Sequence, residues 1–139
     1  PSEFNIFTPV CTSVEVSSAN RQELINAYDN TILYTDYLLH SVIETLRQVS
    51  DRRCCMIYVS DHGESLGENN LYMHGMPKSM APAEQFDIPF IVWHSDSKRT
   101  IKSIECAEQY HVFHTTLRSL SIESEIYNPE YDIFNKTNN

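Results

Sequence analysis

The chain has 139 residues and a mass of 16.1 kDa, the size of one domain or of part of one. Its 41% hydrophobic and 21% charged residues, with 3 glycines and 6 prolines, exclude collagen-like and low-complexity sequence. With 19 acidic residues against 10 basic ones the formal charge is -9, so the chain repels phosphate backbones and we expect no nucleic-acid partner.

An irregular arm and a long helix come first along the chain. Residues 1–19 show no clear period. Asn20 and Glu23 have the spacing of a capping box, and apolar residues then recur at steps of three and four positions. This pattern predicts an amphipathic helix over residues 20–48. Because the sequence opens on Pro1 instead of an initiator Met, we expect it to be a piece of a longer protein.

Two apolar runs predict strands. The run CCMIYV at 54–59 lacks alternation, which is typical of a strand buried on both faces of a parallel sheet. The run IPFIVW at 88–93 predicts a second strand, with a proline near its start, where a missing N–H is tolerated. The first strand and the motif that follows it occupy residues 54–63, and the polar stretch 64–87 separates them from the second strand. This stretch predicts a long active-site loop, since long loops in compact domains are usually functional.

The rest of the chain predicts a helix over residues 107–120 and a frayed tail at 135–139. The order of helix, strand, loop, strand and helix predicts an α/β layered fold. Two strands are fewer than the roughly five or six of an average sheet. We therefore expect the sheet to be incomplete in this chain.

The strongest chemical signal is Asp61-His62-Gly63, directly after the first predicted strand. In open α/β sheets, ligands bind at the carboxyl ends of strands. A carboxylate oxygen and an imidazole nitrogen are both good zinc ligands. The same residues also suit a purely structural role, in which Asp61 caps a turn and His62 is hydrogen-bonded.

Three segments surround this signal: SDHGESLGEN at 60–69, YMHGMP at 72–77 and APAEQ at 81–85. Together they resemble the phosphoethanolamine transferases that modify lipid A and the lipopolysaccharide core, a family that includes the mobile colistin-resistance enzymes. Upstream, TPVC at 8–11 and YDNTILYTD at 28–36 are similar to the same family. The resemblance covers nearly the whole chain and weakens after about Ser95.

This resemblance implies that the chain is the C-terminal part of an alkaline-phosphatase-like, or sulfatase-like, α/β/α sandwich. The family's catalytic domain faces the periplasm of Gram-negative bacteria and is tethered to the inner membrane by an N-terminal region. It moves phosphoethanolamine from phosphatidylethanolamine to lipid A or lipopolysaccharide core through a covalent threonine intermediate, with zinc as cofactor, and it is linked to polymyxin resistance.

Carried over residue by residue, the resemblance makes Asp61 and His62 zinc ligands and His74 the phosphate contact. No segment matches the threonine nucleophile or the upstream glutamate ligand, so no catalytic nucleophile is predicted within this chain. By itself the chain is expected to be inactive and to bind zinc weakly at most, because Asp61 and His62 are only two ligands. The alternatives are a sulfatase or phosphatase that uses water as acceptor, and a noncatalytic fragment.

Several other residues are set aside. Glu64 and Glu68 are interpreted as solvated loop carboxylates, and His111 and His114 as surface or cap residues. In many family members, the cysteine matching Cys11 bonds to a second one shortly downstream, where this sequence has Ala19. Cys11 is therefore free, pairs with Cys106 or another segment, or pairs between chains.

Overall fold

The computed structural model describes residues 1–96 and 98–134 and has the mixed helix and strand composition predicted for an α/β fold. The chain forms two compact units, a first unit of Pro1–Glu44 with Ser60–Pro89 and a second unit of Thr45–Val59 with Phe90–Asn139. The regular elements are α1 (Arg21–Arg47), β1 (Cys55–Val59), β2 (Ser65–Leu66), β3 (Tyr72–Met73), β4 (Phe90–His94) and α2 (Gln109–Ser119). The predicted tail at 135–139 lies outside the described residues.

Helix α1 begins after Asn20, whose Oδ1 accepts a hydrogen bond from the N–H of Gln22 at 2.9 Å, as an N-cap does. Asn30 is buried and binds the arm to the helix, because its Oδ1 accepts the N–H groups of Ile6 and Phe7, both at 3.0 Å. Its Nδ2 also donates to the carbonyl of Phe7 at 3.0 Å. The arm of the first unit is therefore held by side-chain amides of the helix and not by strand pairing.

Part of the predicted apolar face of α1 is exposed. Leu24 is buried, but Ile32, Leu38 and Val42 are exposed in this chain. Periodicity identifies the apolar face of a helix without identifying what covers it.

The expectation of a parallel sheet around the first strand is wrong. Strand β1 pairs antiparallel with β4, with Cys55 opposite His94 and Val59 opposite Phe90. Only Met56 of β1 is buried. A continuous apolar run indicates that both faces of a strand are hydrophobic. It does not indicate the direction of the neighbouring strand, which depends on the path of the chain that connects the two strands.

The polar stretch 64–87 is more ordered than the predicted loop. Strands β2 and β3 form a short antiparallel hairpin, with Ser65 opposite Met73 and Leu66 opposite Tyr72. Glu68 is structural, since its carboxylate accepts the N–H of Leu66 at 2.6 Å and forms an ion pair with Arg21 at 2.8 Å. The interpretation of Glu68 as a solvated carboxylate is therefore wrong.

In the second unit, α2 packs on β1. Thr115 of α2 is fully buried and its Oγ1 accepts the N–H of Ile133 at 3.2 Å. His111 has the predicted cap role, since its Nδ1 accepts the N–H of Glu108 at 2.9 Å at the start of α2. His114 does not cap the helix, because its Nδ1 accepts the N–H of the distant Asn128 at 3.1 Å.

All four cysteines are free thiols in this chain, so Cys11 does not pair with Cys106. Among the described residues, no helix combines the length and the apolar character that a membrane crossing requires.

Candidate metal and phosphate site

Residues 60–62, which follow β1, form a tight turn that includes the first histidine. Ser60 Oγ donates to the carbonyl of His62 at 2.7 Å, and the N–H of His62 donates to Asp61 Oδ1 at 3.1 Å. These local bonds turn the chain directly after the strand, as Ser and Asp side chains do in turns. Asp61 therefore also makes the contact expected if its role is to cap a turn.

Gly63 lies where the backbone of a second segment passes too close for any side chain. A Cβ at this position would lie 1.9 Å from the carbonyl oxygen of Glu84. The N–H of Gly63 donates to the carbonyl of Gln85 at 3.0 Å, which fixes the approach. The glycine after the histidine is thus required by the packing of residues 61–65 against residues 84–85.

A buried polar network extends this packing to the third segment of the site. Gln85 and Ser65 are almost fully buried, and Gln85 Nε2 donates to Ser65 Oγ at 2.8 Å. Gln85 Oε1 accepts the N–H of Met76 at 3.4 Å. Because buried polar groups are costly without partners, this network ties the Asp61, His74 and Gln85 segments of the first unit together.

The predicted ligands Asp61 and His62 present one oxygen and one nitrogen at close range. Asp61 Oδ2 and His62 Nε2 are 3.6 Å apart. Two ligand atoms bound to a tetrahedral zinc at about 2.0–2.2 Å lie roughly 3.3–3.6 Å apart. His62 Nδ1 donates to the carbonyl of Gly63 at 3.1 Å, which leaves Nε2 as the unprotonated nitrogen and matches the backbone contact common behind metal-binding histidines.

His74 is brought to His62 although it follows the hairpin. The two imidazole rings are stacked with centroids 3.5 Å apart and an interplanar angle of 29°. All three residues predicted from sequence, Asp61, His62 and His74, therefore lie in one region of the first unit.

Glu64 belongs to this region, and the interpretation of it as a solvated carboxylate is wrong. Its Oε1 accepts a hydrogen bond from His74 Nδ1 at 2.7 Å and lies 3.7 Å from His62 Nδ1. The sequence signal that could have indicated it is weak: a carboxylate directly before a hairpin and a histidine directly after it. Residues ten positions apart meet only when that hairpin forms.

The donor set fits a metal such as zinc. Among the described residues, His62, Glu64 and His74 offer ligand atoms that all lie within 4.8 Å of one another, with Asp61 beside them. Imidazole nitrogen and carboxylate oxygen are the zinc ligands found besides thiolate. The 2.7 Å contact between Glu64 and His74 is shorter than the roughly 3.3 Å between neighbouring ligands of one zinc, so these two atoms bind each other in this structure.

Comparison with known proteins adds to this geometry. A family model described as sulfatase matches residues 1–122. Phosphoethanolamine transferase EptA of Helicobacter pylori is 44% identical over 140 residues, covering 96% of this chain and 27% of the relative. Phosphatidylethanolamine transferase Mcr-1 of Escherichia coli is 49% identical over 92 residues, covering 66% of this chain and 17% of the relative. The chain thus spans about a quarter or less of these curated relatives.

The fold is similar to that of a solved structure, the C-terminal periplasmic domain of phosphoethanolamine transferase EptC from Campylobacter jejuni. The TM-score is 0.83 at 42% identity, and the match covers 96% of this chain and 45% of the other. The predicted fold class and the predicted resemblance to phosphoethanolamine transferases are both confirmed.

Proposed function

The chain belongs to the sulfatase family, and we propose that the protein containing it is a phosphoethanolamine transferase. The observation that carries this proposal is the site in the first unit, where His62, which follows β1, lies together with Glu64 and His74. The names of the relatives supply the group that is transferred. We propose further that phosphatidylethanolamine is the donor and that lipid A or lipopolysaccharide core is the acceptor.

In this proposal Asp61 and His62 hold a zinc ion. The ion would supply positive charge that neutralises phosphate oxygens, on which phosphoryl transfer concentrates negative charge. Asp61 contributes a carboxylate at the exposed rim, and His62 contributes Nε2 with its ring held by the Gly63 carbonyl. The threonine nucleophile and a further glutamate ligand that the resemblance implies have no match in residues 1–139.

His74 binds the phosphate in this proposal. Its Nδ1 donates to Glu64, so Nε2 is the nitrogen left to face a phosphate oxygen, and it donates a hydrogen bond there when both ring nitrogens of the imidazole carry a proton. The Glu64 carboxylate is charged and accepts at 2.7 Å, which fixes the orientation of the ring before substrate arrives. Positioning of this kind is the main contribution that a protein makes to phosphoryl transfer.

We place the site on the periplasmic side of the inner membrane, as the resemblance implies. The name of the EptC structure supports this location, because it describes a periplasmic domain.

The experiment is expression of the natural-length protein in a Gram-negative host, followed by mass spectrometry of lipid A and core. The expected result is added phosphoethanolamine with the unaltered protein and little with Asp61→Ala or His62→Ala. His40→Ala is the matched control, since His40 is exposed on α1 and lies outside the site. Near-normal transfer and zinc content in both site variants would overturn the ligand assignment.

Zinc analysis separates the two histidine roles. His74→Ala is expected to impair transfer far more than it lowers bound zinc, because His74 is assigned to phosphate. Parallel loss of zinc and activity would make it a ligand. Hydrolysis of a phosphoester by the purified protein, with no lipid modified in the host, would instead indicate the sulfatase or phosphatase reaction.

A further inference from the structure

The second unit contains a polar cavity that the proposed transferase reaction does not use. It has a volume of about 260 Å³ and lies where β1 begins and β4 ends, beside the last turn of α2. We call it the arginine pocket, after Arg53, Arg99 and Arg118 in its lining. Three guanidinium groups around one cavity are unusual in a chain with a formal charge of -9.

The three guanidinium groups have no carboxylate partner among residues 1–96 and 98–134. Asp96 is the acidic residue in the lining, and its Oδ1 accepts the backbone N–H of Lys98 at 3.0 Å, which directs it into its own turn. Arg99 is half-buried and stacks on the Phe134 ring, 4.0 Å from its centroid. Three positive charges against one negative charge give the cavity a net positive field.

Two buried polar atoms in the lining also have no hydrogen-bond partner among the described residues. They are His94 Nδ1 and Ser119 Oγ. A buried polar atom without a partner costs free energy, and in native proteins such atoms usually have a protein, water or ligand partner. Both can donate a hydrogen bond to an oxygen placed in the cavity.

The carbonyl groups at the end of helix α2 do not point unbonded partial negative charge at an anion in this cavity. The last carbonyl groups of a helix are partly negative. Here those of Thr116 and Arg118 accept N–H groups from Leu120 and Ser121, and that of Leu117 accepts the N–H of Ile122. These carbonyls are therefore bonded within the turn.

We propose that the arginine pocket binds a small tetrahedral oxyanion, either free inorganic phosphate or the phosphate monoester group of a small molecule. Guanidinium groups bind phosphate oxygens in pairs, and His94 and Ser119 supply further donors. The volume is just below the roughly 300–1,000 Å³ of pockets for drug-sized ligands, which suits a small ligand. None of its lining residues belongs to the first unit, which contains His62 and His74.

The test is calorimetric titration of the natural-length protein, stripped of metal with EDTA and carrying His74→Ala so that the first unit contributes no phosphate contact. Inorganic phosphate is titrated in one arm and glycerol 3-phosphate in the other, at equal ionic strength. Arg53→Gln and Arg118→Gln are each expected to weaken binding about tenfold or more. Arg52→Gln is the matched control and is expected to change affinity less than about twofold, because Arg52 is bonded to Asp51 at 2.6 Å and lies outside the lining.

The two arms identify the source of the phosphate group. Tighter binding of glycerol 3-phosphate indicates a monoester ligand, and equal or tighter binding of inorganic phosphate indicates the free ion. The proposal is overturned if neither ligand saturates the protein, or if Arg53→Gln and Arg118→Gln bind as Arg52→Gln does. Arg53 is exposed, so Arg53→Gln decides the test even if the Arg118 variant fails to fold.

Discussion

Buried polar side chains around His62 in the first unit are paired, whereas two buried polar atoms of the second unit, one on His94 and one on Ser119, have no described partner. Glu64 binds His74 at 2.7 Å and Gln85 binds Ser65 at 2.8 Å. In the arginine pocket, by contrast, His94 Nδ1 and Ser119 Oγ have no described partner. A paired polar group fixes a geometry in advance, while an unpaired buried one is satisfied only when a ligand arrives. The difference separates a preorganised site from a site completed by its ligand.

The largest expected effect tests how rigidly the first unit is held. Gly63→Ala places a Cβ 1.9 Å from the backbone carbonyl oxygen of Glu84, so one of the two segments must move. We expect a loss of roughly 3 kcal/mol or more in the free energy of unfolding, together with loss of transfer. Thermal and denaturant unfolding measure this loss.

Gly75→Ala is the control for this substitution. Gly75 has φ of 99°, and a Cβ there has no neighbour within 4 Å. Only backbone strain is then expected, about 1–2 kcal/mol. Equal destabilisation by the two variants would show that the close approach at Gly63 does not constrain the site.

The next effect concerns the pairing that orients His74. Glu64→Gln keeps an acceptor oxygen and removes its charge, so we expect transfer to fall about tenfold or more while bound zinc is retained. Glu84→Gln, the same change at an exposed position of the same stretch, is expected to be nearly neutral. Loss of zinc with activity in Glu64→Gln would identify Glu64 as a ligand instead of a positioning residue.

A pair of serine substitutions compares the two units directly. Ser65→Ala leaves Gln85 Nε2 buried without its acceptor and is expected to destabilise the protein by about 1–3 kcal/mol. Ser119→Ala removes a hydroxyl that has no described partner, so it is expected to be neutral or slightly stabilising without bound phosphate. Chemical denaturation of both variants measures the difference, and equal costs would contradict the contrast between the units.

The smallest effect is on thiol reactivity at the edge of the arginine pocket. Burial raises the pKa of the Cys55 thiol above its ordinary value, and the positive charge of Arg99 opposes the rise. At a pH near 8 a larger fraction of Cys55 therefore stays protonated, and its alkylation by iodoacetamide is expected to be slower than that of the exposed Cys106. Peptide mapping against pH checks this order, and faster reaction of Cys55 would show that the arginines dominate its environment.

Local patterns account for what could be predicted of the fold. The helix predicted over 20–48 from the spacing of apolar residues nearly coincides with α1 at Arg21–Arg47. Both signals used, the apolar stripe and the Asn20 cap, depend only on residues close together in the chain. The apolar runs likewise lie at β1 and β4. The direction in which β1 pairs was predicted wrongly, since both pairing modes accept the same apolar run.

The site was predicted in part for a similar reason. Asp61 and His62 are recognisable because they directly follow a strand, and His74 because its segment resembles a family motif. Glu64 was dismissed, since a loop carboxylate has no local feature that distinguishes a solvated side chain from one that holds a histidine.

The sequence by itself determined the two helices, strands β1 and β4, the acidic charge and the chemistry available after β1, because each depends on residues close together in the chain. Only the tertiary structure decided that Glu64 orients His74, that Gly63 has no room for a side chain, and that three arginines line one cavity. These contacts join residues that are distant along the chain, and loop closure, steric fit and burial select them only when the chain has folded.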